Sequence, residues 1–148
     1  MITIKEMTLQ DVDQVHMLEQ IAFSMPWSRQ DFVDMVENKD ALYLVVEDDV
    51  CPGKVIACCG MRSIVGEGDI SNVVVHPDYR KRGIASRMLE ELIRRSDTEY
   101  GVEAYTLEVR KSNTDAINLY QRLGFAQEGI RKNFYEKPVE DAIIMWKR

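Results

Sequence analysis

Positive charge concentrates at one point of the chain, Arg80-Lys81-Arg82-Gly83-Ile84-Ala85. Three cations stand at the start of a segment with helical periodicity, where the helix dipole is already positive, and each misplaced charge there costs roughly 0.3 to 1 kcal/mol if exposed. The cluster makes sense when an anion answers it. Free backbone N–H groups at the helix start, with Gly83 and Ala85 too small to block their approach, form a site suited to a pyrophosphate. The plain alternative is a solvated basic loop. Other reactive residue types read as structural. Cys58 and Cys59 are adjacent in a predicted strand, where neighbours point to opposite faces and cannot share a metal, so they are expected to be small buried hydrophobes. His76 precedes Pro77 at a strand end and reads as positional, and His16 lies within an amphipathic helix. Gly66-Glu67-Gly68 lacks the third glycine of a dinucleotide fingerprint and reads as a hairpin turn.

Periodicity places these residues on a succession of strands and helices. Residues 2 to 6 alternate as a strand, and Thr8 caps a helix with Val12, Val15, Leu18, Ile21 and Ala22 at helical spacing. Ser28 starts a second helix carrying Phe32, Met35 and Val36. Strands are expected at 41 to 47, 54 to 64 and 69 to 75, then a helix containing Ser86 to Ile93, with Ala85, Met88, Leu89, Leu92 and Ile93 on one stripe. Residues 104 to 110 alternate Tyr105, Leu107 and Val109 against Ala104, Thr106, Glu108 and Arg110. Ser112 or Asn113 caps a further helix closed by Gly124, and strands at 125 to 131 and 141 to 147 end the pattern. The order βααβββαβαββ predicts an α/β fold with a mixed, twisted sheet and helices on both faces.

Composition bounds the function. A chain of 148 residues, 45% hydrophobic and 30% charged, is expected to form a single domain with a core that needs no disulfide or metal staple. No apolar run approaches a membrane span, and the charged start Met1-Ile2-Thr3-Ile4-Lys5-Glu6 lacks a signal-peptide h-region, so a cytoplasmic location is expected. A net charge of −6 argues against sequence-independent binding to nucleic acid, which needs a basic surface.

Val73-Val74-Val75-His76-Pro77 followed by Arg80-Lys81-Arg82-Gly83-Ile84-Ala85 resembles the acetyl-CoA signature of the GNAT superfamily. Leu107-Glu108-Val109-Arg110, Ser112-Asn113, Ala116-Ile117, Leu119-Tyr120 and Gly124-Phe125 are similar, in residue and spacing, to its ribosomal-protein-alanine N-acetyltransferase branch. So are Pro26-Trp27-Ser28 and Glu140-Asp141-Ala142, so the resemblance spans essentially the whole chain. Two positions depart from the pattern: His76 stands where an acidic residue is common, and Phe134-Tyr135 where two tyrosines are typical.

The resemblance implies a GNAT fold and transfer of an acetyl group from acetyl-CoA, as donor substrate, to a protein N-terminal α-amine, with a ribosomal protein as partner and no metal. It makes Glu108 the general base and Tyr120 the general acid facing the sulfur, and assigns the backbone at Val73, Val74 and Val75 to the pantetheine arm. Arg80 to Ala85 would hold the pyrophosphate and Asn113 would touch the cofactor, while Trp27 and Tyr135 would face the acceptor. On pattern alone, Glu108 would be a solvent-facing strand carboxylate and Tyr120 a core tyrosine with its hydroxyl satisfied. An acetyltransferase of a polyamine or antibiotic and a non-catalytic acyl-CoA-binding module are the competing readings. The acidic residues Glu136, Glu140 and Asp141 are expected to suit a basic acceptor.

Overall fold

The computed structural model describes residues 1–148. Its elements run β1 (Ile2–Glu6), α1 (Val12–Ala22), α2 (Arg29–Glu37), β2 (Ala41–Asp48), β3 (Val55–Ile64), β4 (Glu67–Val75), α3 (Ile84–Tyr100), β5 (Ala104–Arg110), α4 (Thr114–Arg122), β6 (Ala126–Tyr135) and β7 (Glu140–Lys147). The strands form one sheet in the order β1-β2-β3-β4-β5-β7-β6. Every neighbouring pair is antiparallel except β4–β5, which needs a crossover and receives it from α3. No helix is long and apolar enough to cross a membrane.

Two buried clusters cover the two faces, and the period of two divides each strand between them. In β2, Leu42, Leu44 and Val46 belong to one cluster with Met88, Leu89 and Leu92 of α3, while Ala41, Tyr43 and Val45 join Val12, Val15 and Phe32 of α1 and α2. Burial on both faces explains why the strand is an unbroken apolar run. Cys58 and Cys59 behave as expected, each buried and each in a different cluster.

The boundaries differ from the sequence pattern where turns or polar residues decide them. The β3–β4 turn is Val65-Gly66, both at positive φ, with Ile64 paired to Glu67, so β4 already begins at Glu67. This is the two-residue hairpin geometry that matches strand twist. α3 extends past Ile93 to Tyr100, because Ser96 hydrogen-bonds Leu92 O at 2.8 Å and the Tyr105 hydroxyl at 2.7 Å, anchoring a stretch whose composition is polar. In α1 the expected apolar position Ile21 is 60% exposed, and Glu19 takes the buried place instead. Thr8 caps a short 3-10 turn at Leu9–Asp11 that leads into α1. Ser28 and Asp31 form a capping box for α2, and Asn113 caps α4 by accepting from Ala116 N at 3.2 Å.

Close packing between strands uses glycine opposite tyrosine. Gly60 pairs with Tyr43, and a Cβ on it would lie 2.7 Å from Tyr43 Cδ2. Gly60→Ala is therefore expected to force the ring aside and lower the unfolding free energy by about 1–3 kcal/mol. Urea denaturation measures this, and an unchanged midpoint would mean that the ring yields freely.

Candidate active site

The β4–β5 ladder holds for only three pairs, Glu67–Ala104, Gly68–Tyr105 and Asp69–Thr106. Beyond Asp69 the two strands part, and a cavity of about 590 Å³ occupies the opening. Its walls come from both faces of the sheet. Leu107 and Val109 belong to the cluster on the α3 side, as does Tyr120 of α4. Glu108 alternates with them and so points to the opposite face, toward α1 and α2, where Trp27 packs. All of these line one cavity, together with Val73, Asn113 and Tyr135. The opening thus passes through the sheet, with Glu108 and Tyr120 approaching it from different faces.

The two side chains have chemically distinct surroundings. Burial raises the Glu108 carboxyl above its ordinary value, Arg131 opposes the shift and Asp69 adds to it. One oxygen sits 3.7 Å from Arg131 Nε, and the other is buried without a hydrogen-bond partner. A carboxylate with a free, poorly solvated oxygen is a stronger proton acceptor than a surface one. The Tyr120 side chain is 6% exposed and burial raises its phenol above the ordinary range, with Cys59 and Tyr135 contributing. Its backbone takes part in turn and helix bonds, but its hydroxyl has no hydrogen-bond partner in the protein, unlike a satisfied core tyrosine. Tyr135 is pushed up to about 12, first by burial and then by the Glu108 charge, and the Arg110 guanidinium lies 4.5 Å from the centre of its ring.

The segment Arg80 to Ala85 lies at the start of α3, outside the cavity lining. Unlike α2 and α4, α3 has no side-chain cap and no acidic residue in its first turn. Its first amides therefore have no intrahelical partners and keep their positive potential. Lys81 and Gly83 adopt positive φ, 63° and 73°, turning the loop so that nothing lies within 4 Å of where a Gly83 Cβ would be. Arg80 Nε donates to Val75 O at 3.3 Å, which ties this cradle to the end of β4. Val73 lines the cavity, whereas the Val74 side chain is buried in the cluster beneath α1 and α2. His76 caps a 3-10 turn by accepting from Asp78 N.

The acidity of the cavity comes only in part from the residues expected. Glu140 is engaged by Arg110 at 3.2 Å and by Ser112 N at 2.6 Å, and Asp141 accepts from Asn133 N at 2.9 Å. Of the three carboxylates read from the sequence, Glu136 lines the cavity, joined by Glu19, Asp69 and Glu108. Sequence reasoning missed Glu19. The signal was a charged residue at a position spaced i+4 from Val15 on the apolar stripe of α1.

Glu19 is wholly buried and titrates at about 7, burial outweighing its hydrogen bonds with Asn72 and Tyr43. A folded-state value raised above the ordinary 4.5 means that ionisation costs stability. The cost is absent below about pH 4.5, grows as pH rises to about 7, and is constant above. Glu19→Gln, neutral throughout, is expected to exceed the native chain in stability at pH 8 by up to roughly 3 kcal/mol, with the difference fading by pH 4.5. Urea denaturation across this range measures it, and a difference independent of pH would contradict the assignment.

Known proteins share this architecture. The model of the acetyltransferase (GNAT) family matches residues 12–125. The [ribosomal protein bS18]-alanine N-acetyltransferase of Escherichia coli (strain K12) is 34% identical over 145 residues, which cover 97% of this chain and 95% of that protein. The crystal structure of the ribosomal-protein-S18-alanine N-acetyltransferase from Escherichia coli superposes with a TM-score of 0.89 over 99% of this chain and 93% of that one. Arabidopsis thaliana NAA60 in complex with acetyl-CoA, 19% identical, has the same fold at a TM-score of 0.90 and covers 99% of this chain and 97% of its own. With its parted β4 and β5, its uncapped α3 and a match across nearly its whole length, the chain belongs to the GNAT acetyltransferase family.

Proposed function

We propose that this protein transfers the acetyl group of acetyl-CoA to the N-terminal α-amine of a protein, by direct attack within a ternary complex. The observation that carries this reading is the cavity through the sheet, which exposes a carboxylate from one face and a phenol from the other to one space. The acceptor we assign is a ribosomal protein with an N-terminal alanine, on the strength of 34% identity to bacterial enzymes named for that reaction. The cytoplasm, where ribosomal proteins are made, is the corresponding location.

In this mechanism the basic cradle at the start of α3 holds the pyrophosphate, and the unpaired edge of β4 at Val73 to Val75 offers main-chain groups to the pantetheine amides. Asn113, whose Oδ1 caps α4, keeps its amide N–H groups for the donor. Trp27 and Tyr135 border the acceptor side. Glu108 removes a proton from the incoming ammonium, and the freed nitrogen attacks the thioester carbon. As the carbon–sulfur bond breaks, Tyr120 gives its proton to the departing sulfur, and the second proton lost by the attacking nitrogen returns to Tyr120 and restores the phenol. The burial that raises the phenol also raises the proton affinity of a thiolate beside it, so the transfer stays favourable. Glu108 releases its proton to solvent, and the net products are the amide, the free thiol of coenzyme A and one proton.

An α-amine suits this base. Its reference pKa of about 7.7–8.0, against about 10.4 for lysine, leaves more of it neutral at pH 7. The test compares kcat/KM for a peptide with a free N-terminal alanine, an N-blocked lysine peptide and spermidine. A preference of at least about tenfold for the α-amine is expected, and a preference for spermidine would replace the acceptor assigned here. Glu108→Gln and Tyr120→Phe are each expected to lose roughly 10²- to 10⁴-fold in single-turnover rate with little change in acetyl-CoA affinity. Because the Glu108 carboxyl is raised, the native rate should fall with decreasing pH sooner than an ordinary carboxylate would dictate, and Glu108→Gln should lose that limb.

The cradle is tested separately by calorimetry. Gly83→Val places a β-branched residue at φ 73° and fills the space beside the first amides of α3, so acetyl-CoA affinity should drop by at least about tenfold. Undiminished affinity in a folded variant would remove the pyrophosphate from this loop.

A further inference from the structure

We propose that Glu19 is a positioning residue for acetyl transfer, gripping the Asn72 side chain and so fixing the bulge in β4 that forms one wall of the reaction cavity. The inference rests on the reading of that cavity as the acetyl-transfer site.

The bulge is visible in the register and in the packing. Cys58 pairs with Val74 and Gly60 with Ser71, so Cys59 alone stands opposite Asn72 and Val73. Regular alternation would put Ile70 and Val74 on the same face. Instead, Ile70 belongs to the cluster on the α3 side and Val74 to the cluster beneath α1 and α2. The extra residue therefore reverses the facing of everything after it, turning Val73 and Val75 toward the α3 side. The reversal is centred on Asn72, at φ 60°, a left-handed conformation that asparagine tolerates better than most residues but that still needs support.

Glu19 supplies that support from α1. Its Oε1 accepts from Asn72 Nδ2 at 2.5 Å and from the Tyr43 hydroxyl of β2 at 3.3 Å, and the main chain at Trp27 is near enough to favour the charged form. One carboxylate of α1 thus joins β2 and β4, and Val73 and Trp27 line the cavity beside it. Tyr43 also lies 3.3 Å from Cys58 Sγ, so the groups facing Glu19 from β2, β3, β4 and the α1–α2 segment are a phenol, a thiol, an amide and a peptide group, none of them cationic. The second Glu19 oxygen and Asn72 Oδ1 are buried without partners. A packing role alone would be served better by an apolar residue of this size, since a buried carboxylate without a cation is costly. What a carboxylate adds is a grip on Asn72 that strengthens when it is ionised, because charge-assisted hydrogen bonds are about twice as strong as neutral ones.

The test measures kcat for the alanine peptide between pH 6 and 8.5, with acetyl-CoA affinity and circular dichroism as controls. Glu19→Ala removes the grip. Asn72→Gly removes the amide while leaving a residue at ease at positive φ, and Glu19→Gln keeps an oxygen acceptor without the charge. Glu19→Ala and Asn72→Gly should each lose at least about tenfold in kcat with acetyl-CoA affinity within about threefold, and the double variant should lose no more than the worse single one. Glu19→Gln should recover most of the rate at pH 6.5, and the ratio of native to Glu19→Gln kcat should rise as pH passes about 7. Losses below twofold, additive losses in the double variant, or a ratio flat with pH would overturn the inference. If Glu19→Ala does not fold, the other two variants and the pH ratio decide. A native protein that acetylates no peptide would sink the functional reading and this inference with it, whereas an active native protein with indifferent variants would sink only the inference.

Discussion

The arrangement depends on one interruption of main-chain pairing: β4 and β5 are bonded to each other only as far as Asp69 and Thr106. Buried backbone N–H and C=O groups need partners, and a sheet that opens in its middle leaves two rows of them facing a gap. Such a gap is unfavourable unless something strand-like or solvent fills it, a need that the amide-bearing arm proposed to lie there would meet. The pair at the closed end of the gap is parallel. A parallel pair demands a crossover, and α3 therefore starts just beyond the end of β4. The placement of the cationic loop beside the opening follows from the connectivity of the sheet, and the Arg80–Val75 bond holds it there.

The same opening explains why polar groups that a stable core would exclude are found beside it. The three buried side-chain oxygens without partners, on Glu19, Asn72 and Glu108, all belong to residues lining the cavity. All three are acceptors. A wall of unsatisfied acceptors is a destabilising feature in the empty protein and a favourable one when a multiply donating ammonium or its hydration shell arrives. Glu19 also carries a cost in stability when ionised, so the fold gives up stability next to its reaction cavity, as sites of chemistry commonly do. The rest of the molecule offsets this with two well-filled clusters, one on each side of the sheet.

Much of this was legible in the residues, because periodicity and caps are local. The alternation of 104 to 110 matches β5 at both ends, and Ser28 and Gly124 mark helix termini as their chemistry dictates. The helix start was legible too, since the three cations stand before an α3 that has no side-chain cap and no acidic residue in its first turn, a placement that suits the anion proposed there. What periodicity could not show is non-local. Nothing in Glu67 to Val75 announces that Asn72 takes a left-handed conformation or that the facing of Val73 reverses, because the partner that holds it, Glu19, is far away in the chain. Likewise Glu140 and Asp141 have the composition of an acidic recognition surface, and only the tertiary structure shows that Arg110, Ser112 and Asn133 already occupy them.

Charge is segregated between the start of α3 and the cavity. At the start of α3, Arg80, Lys81 and Arg82 are exposed around a helix terminus of positive potential. The cavity itself is lined by Glu19, Asp69, Glu108 and Glu136, with Arg110 the one basic residue among them. A donor carrying phosphates is attracted to the first region and repelled from the second, and an ammonium the reverse. With donor and acceptor placed as proposed above, these opposite potentials would discourage each substrate from occupying the other's place. The chain's net charge of −6 is the sum of these unlike regions. It predicts neither of them.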